Sequence, residues 1–164
     1  MRKLLRVSGI VTATAFGSVM QGAGAEEIHF KQTCQSVGGD NSEQLGDREG
    51  HSISVGPFSC RMESGPMDGG VLTGDAILEW DKTNAVLVMG VGVIRKPGGF
   101  VAYQDTEGKF ALTVTDGKVT GFTGSGKVRW TIATGSAAPL VGKSFVYTLK
   151  STGAGQWEAD ATAE

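Results

Sequence analysis

Four large aromatic residues, Trp80, Trp130, Tyr147 and Trp157, carry most of the chemistry this sequence offers. Each falls on the apolar phase of a segment that alternates with period two. Trp80 follows Leu72 and Leu78, Trp130 stands between Val128 and Ile132, Tyr147 stands between Phe145 and Leu149, and Trp157 precedes Ala159 and Ala161. Rings held on one face of a sheet can stack on a lipid, a sugar or an aromatic metabolite, and the Tyr147 hydroxyl adds a polar handle. The same rings can fill a core without any ligand. Spacing alone leaves both readings open.

Other chemistries are poorly supplied. General acid–base catalysis needs a proton-transfer group aimed at the substrate. Alternation aims Leu72, Leu78, Phe110, Leu112, Val114, Val128, Ile132, Phe145 and Leu149 inward with the four aromatics, and turns Asp75, Glu79, Glu158 and Asp160 outward. Tyr147, Gln104 and Thr134 are then the polar candidates for the interior, and no catalytic residue is expected. Ser136 lies in Gly-Ser-Ala-Ala, without the strand-to-helix elbow that exposes a serine nucleophile. His29 and His51 could meet if the first two strands pair, and with Asp47 or Glu49 could hold a metal. Two unrelated histidines is the simpler reading, and no metal or cofactor is expected. The acidic stretch from Asp40 to Glu49 fails the calcium-loop pattern at Leu45, where a glycine is required, and reads as a solvated loop. Arg95 and Lys96, before Pro97, read as turn charges.

The elements that must position these residues are strands. The stretch Lys109–Gly121 combines alternation at Phe110, Leu112 and Val114 with Asp116-Gly117, a pair suited to the positive φ angles of a two-residue hairpin turn. Similar segments run over 26–37, 51–62, 71–81, 85–94 and 100–106, with Glu107-Gly108 read as a break, and then from Val119 onward to the Trp157 segment. Ser36 to Gly50 reads as loop. Pro57 marks an edge or a bulge. Residues 85–94 are apolar on both phases, which suggests a strand buried on both faces or set at a tight corner. Gly90 and Gly92 suggest strong bending or close backbone approach. Eight or nine short strands without a helical period predict an all-β fold, a single antiparallel meander closing into a barrel of roughly eight strands. A β-sandwich is the alternative.

Residues 1–25 read as a secretory leader. Arg2, Lys3 and Arg6 precede a short apolar run, and Ala23-Gly24-Ala25 forms a cleavage site. Residues 26–164 then form one β-barrel domain. Losing three basic residues and no acidic one leaves twelve against seventeen, a formal charge of −5, which argues against nucleic acid as a partner. The apolar run is too short for a membrane anchor. In an oxidising compartment Cys34 and Cys60 are expected to pair, since no Cys-x-x-Cys motif offers a zinc site.

The Gly-rich strand, the Trp130 strand, the Ala133–Lys143 connection Ala-Thr-Gly-Ser-Ala-Ala-Pro-Leu-Val-Gly-Lys and the Phe-Val-Tyr strand after it resemble the late part of allene oxide cyclase and dirigent-type barrels. That resemblance implies a secreted or organellar eight-stranded barrel, lipocalin-like in shape, whose apolar cavity binds or steers a small hydrophobic molecule. No catalytic residue of either family matches a position here. The leading expectation is a secreted or periplasmic, non-enzymatic barrel that binds a small hydrophobic ligand or a protein partner. A cyclase-like or isomerase-like enzyme using Tyr147, and a structural envelope protein without a pocket, are the alternatives.

Overall fold

The structure, a computed structural model, describes residues 27–39 and 41–164; the expected leader at residues 1–25 lies outside them. The strands are β1 (His29–Ser36), β2 (Asn41–Gln44), β3 (His51–Met62), β4 (Val71–Asp81), β5 (Asn84–Lys96), β6 (Gly99–Thr115), β7 (Lys118–Gly135), β8 (Ser144–Gly153) and β9 (Gln156–Ala163). A 3₁₀ turn at Ala138–Leu140 interrupts the β7–β8 connection. The sheet order is the antiparallel meander itself, and β1 pairs with both β9 and β3, so eight strands form a closed hydrogen-bonded ring. Closure removes the unpaired edges that an open sheet of this length would expose.

Cys34 and Cys60 are bonded, and they are register partners across β1 and β3. The disulfide therefore staples the seam that closes the ring. Further along β3 the short β2 takes over from β1, pairing Asn41–Gln44 with Ser52–Val55, so the polar 36–50 segment contains a strand where a loop was expected. Pro57 sits at this handover, accepting a hydrogen bond from the Val37 amide. A residue without an N–H costs little there.

Asp116 and Gly117 both have positive φ and join Thr115 to Lys118, the hairpin that the Asp-Gly pair predicts. The expected break at Glu107-Gly108 is not a turn. β6 runs unbroken through it, with Thr106 bulged between the pairs Asp105–Val128 and Glu107–Lys127. Because side chains alternate strictly, each extra residue moves all later ones to the opposite face. Val101, Tyr103 and Asp105 point inward before the bulge, whereas Phe110 and Leu112 do so after it.

Two further irregularities correct the inward set. Thr131 is bulged on β7, so Ala133 replaces Ile132 against the core and Ile132 is 53% exposed. Thr120 is bulged on β7 near the hairpin tip; Val114 on β6 keeps the phase of Phe110 and Leu112 but stands beside the turn, where it is 46% exposed. β5 is likewise not buried on both faces: Leu87, Gly90, Gly92 and Ile94 face inward, while Val86, Val88, Met89 and Val91 are exposed on the outer face.

The two ends of the ring differ. At the end where β6 begins and β7 finishes, Trp130, Phe145 and Phe30 pack with centroids 4.9–5.8 Å apart. The β3–β4 connection adds fully buried Met67, and the β7–β8 connection adds Ala137 and Leu140. Aromatic rings of this size dominate burial energetics. That end is a solid floor, and the space above it is not filled.

Candidate functional site

Above the floor lies a cavity of about 460 Å³, within the size range of small-molecule sites. Its mouth is at the end bearing the β4–β5 turn and the β6–β7 hairpin. Trp80, Phe110, Leu112, Phe122 and Trp157 line the mouth side, with Ser52 and Ser54 on β3 and Lys82 on the β4–β5 turn. Trp157 packs against Phe58 and Phe122 at 5.8 and 5.7 Å, and Trp80 donates its indole N–H to Ser54 Oγ at 2.9 Å. These rings are half-buried; Phe58 and Phe122 brace Trp157, and the Ser54 hydroxyl anchors Trp80.

Of the four aromatics expected to share a site, Trp80, Tyr147 and Trp157 stand on the open wall. Trp130, 1% exposed, is a core residue whose ring closes the bottom of the chamber. Gln104 and Thr134, expected as interior polar groups, are exposed on the outside. The interior polar groups are instead Tyr103, Asp105 and Gln32, with Tyr147. Tyr103 and Asp105 follow from the Thr106 bulge, which reverses the phase that Phe110 and Leu112 would project backward along β6.

Glycines make room for this polar cluster. A Cβ at Gly90 would strike the Asp105 carboxyl, and a Cβ at Gly74 or Gly92 would strike the Tyr103 hydroxyl. A Cβ at Gly108 would sit 3.1 Å from the Tyr147 hydroxyl, and one at Gly126 would sit 2.5 Å from it. The glycine rhythm of the sequence is thus the negative image of three inward polar side chains. It was the one signal in the sequence that could have located them.

Burial lifts the Asp105 carboxyl to about 7, with desolvation as the sole cause. No hydrogen bond or cation compensates it among the described residues. Burial also pushes the Tyr103 and Tyr147 hydroxyls up, and the nearby Asp105 charge adds to both shifts. Tyr103 is 5% exposed, and its hydroxyl has no hydrogen-bond partner among the described residues; the same holds for Gln32 Oε1. Most buried polar atoms are paired, so unpaired ones lining one cavity mark a candidate binding site. The group can hold a ligand's polar atom, and near neutral pH its carboxyl can give or take a proton.

The two histidines do not come together. His29 on β1 bonds Asp160 at 2.9 Å, while His51 at the start of β3 is clasped by Asp47 and by Glu79 at 2.9 Å. His51 is 7% exposed, and its pKa is raised, first by the Asp47 hydrogen bond and then by that of Glu79. With the Arg48–Asp81 pair at 3.5 Å, it ties the loop before β3 to the end of β4 at the cavity rim. Among the described residues no group of three or more His, Cys, Asp or Glu side chains is arranged to hold a metal ion, and no helix is long and apolar enough to cross a membrane.

Compared with known proteins, the chain matches no family model and no curated sequence.

Proposed function

We propose that this chain is an exported β-barrel that takes a small hydrophobic molecule into its cavity, with the mouth aromatics stacking on the ligand. The observation that carries this reading is the cavity of about 460 Å³ between an aromatic mouth and a packed floor. A plugged barrel would have favoured a purely structural role. The Cys34–Cys60 disulfide suits an oxidising compartment, as expected of an exported protein. A ligand of about 20 non-hydrogen atoms, at roughly 0.3 kcal/mol per atom, would bind with a Kd of about tens of micromolar.

The test is titration with a neutral, environment-sensitive naphthalene probe. Saturable binding that is lost in Leu112→Trp, a substitution that fills the mouth, is the expected result. Absence of saturable binding to a correctly folded, disulfide-bonded protein would remove the reading.

Asp105 favours a second reading, in which the cavity is the site of a cyclisation or isomerisation and Asp105 moves a proton with Tyr147 polarising the substrate. Tyr147→Phe separates the two. A binder loses about 0.5–1.5 kcal/mol of affinity with one neutral hydrogen bond, whereas an enzyme loses on the order of 10²-fold or more in rate with substrate affinity intact.

A further inference from the structure

We propose that the cavity selects amines: an apolar molecule bearing a protonated primary or secondary ammonium group, received by Asp105 as its counter-ion with Tyr103 and Tyr147 beside it. This rests on the binding reading above and adds the chemistry of the ligand's head.

The lining is asymmetric in charge. Among the described residues Asp105 is its one acid and Lys82, on the β4–β5 turn at the mouth, its one base, and no arginine or histidine lines it. The groups around Asp105 are Tyr103 on its own strand, Gly90 on β5, Val128 on β7 and Tyr147 on β8. None is a cation. A buried carboxylate without a partner is costly, and a ligand ammonium supplies the missing charge and hydrogen-bond donors together.

The unpaired polar atoms point to the same head group. Among the described residues Gln32 Oε1, which lines the same cavity, is a buried acceptor without a donor, and the Tyr103 hydroxyl is buried and unpartnered. An ammonium has two or three N–H donors for such acceptors, while a tyrosine hydroxyl can accept from it or donate to the carboxylate. A ligand carboxylate would meet Asp105 with like charge. An alcohol offers a single donor and no charge. The electron-rich faces of the mouth aromatics add attraction for a cation and none for an anion.

Three ligands with one tail and different heads test this: phenylbutylamine, phenylbutanol and phenylbutyrate, each displacing the naphthalene probe. At pH 8 the amine should bind at least tenfold tighter than the alcohol, and the butyrate weakest. The preference should shrink as the pH falls through about 7, because Asp105 must then release a proton to accept the ammonium. Calorimetry of the amine at pH 6 in buffers of different ionisation enthalpy should show a proton released on binding, and the alcohol none. Asp105→Asn, nearly isosteric and relieved of a buried charge, should bring amine and alcohol to parity when each is measured against that variant's own affinity for the probe. Equal or better binding of alcohol or butyrate by the native protein overturns the amine assignment, as does an amine preference that survives Asp105→Asn. Either result with probe binding intact leaves the cavity reading standing, whereas loss of binding for the probe and all three ligands overturns both.

Discussion

Asp105 and Gly90 face each other across β5 and β6, and the Asp105 carboxyl occupies the space that a side chain at position 90 would need. The pairing explains a glycine inside a long strand, where it would otherwise weaken the sheet. Gly90→Ala should therefore push Asp105 out of place and destabilise the protein by about 1–3 kcal/mol, the usual cost of overpacking. Gly39→Ala is the control, since an added Cβ there meets nothing within 4 Å and φ is not positive. It should stay within about 0.5 kcal/mol of the parent. Urea midpoints for the two variants check this.

Asp105 itself should make stability fall with rising pH. Its carboxyl titrates near 7 in the folded chain, against an unperturbed value of 3.8. Below pH 4 both states are protonated and burial has no titration cost. Between 4 and 7 the unfolded chain gives up the proton that the folded one keeps, so stability drops, and above 7 the loss is complete. Asp105→Asn should match the parent near pH 4 and exceed it by about 2–4 kcal/mol at pH 8. Denaturation curves at the two pH values measure the difference.

His51 works in the opposite sense. Its raised pKa means that the imidazolium, bonded to Asp47 and Glu79, stabilises the folded state fully below the unfolded value of 6.5 and loses that effect as pH rises through the folded value. The NMR titration midpoint of the His51 ring should lie above 6.5. Asp47→Asn should bring it down, since the Asp47 hydrogen bond is the largest cause of the shift. A midpoint unchanged in that variant would show that the rim clasp does not form.

The seam disulfide spans 26 residues. Loop-closure entropy assigns such a bridge about 3 to 4 kcal/mol. Cys34→Ala with Cys60→Ala should lower stability by that order and accelerate amide exchange on the β1–β3 pair before β6–β7. Uniform acceleration around the ring would show that the disulfide does not secure the seam specifically.

Much of the barrel was legible because local chemistry and tertiary structure agree. Val71–Asp81 alternates apart from Ile77, an apolar residue on the outward phase, and its inward Leu72, Leu78 and Trp80 are where the pattern puts them. Asp116-Gly117 fixes its hairpin through backbone preference alone. The interior polar cluster was not legible. A bulge leaves no composition signal at Thr106, yet that one residue exchanges Gln104 for Asp105 on the inner face. The same applies to Ile132, whose apolar character matches the pattern on either side of the Thr131 bulge. Sequence alternation reports orientation only up to the next irregularity in pairing.

Trp130 and Trp157 are the same residue type on the same face of the ring, and they should respond differently to truncation. Trp130 lies in the floor against Phe30 and Phe145, and nothing can close over the volume it leaves. Trp130→Ala should cost about 3–5 kcal/mol, the value for a large buried aromatic, and should enlarge the cavity downward. Trp157 stands half-buried at the mouth, with Phe58 and Phe122 as its main supports. Its truncation should cost no more than about 2 kcal/mol of stability while weakening naphthalene-probe binding at least tenfold. Urea unfolding and probe titration, run on both variants, separate a floor from a binding wall. A Trp157→Ala protein that binds the probe as tightly as its parent would remove the mouth aromatics from the site.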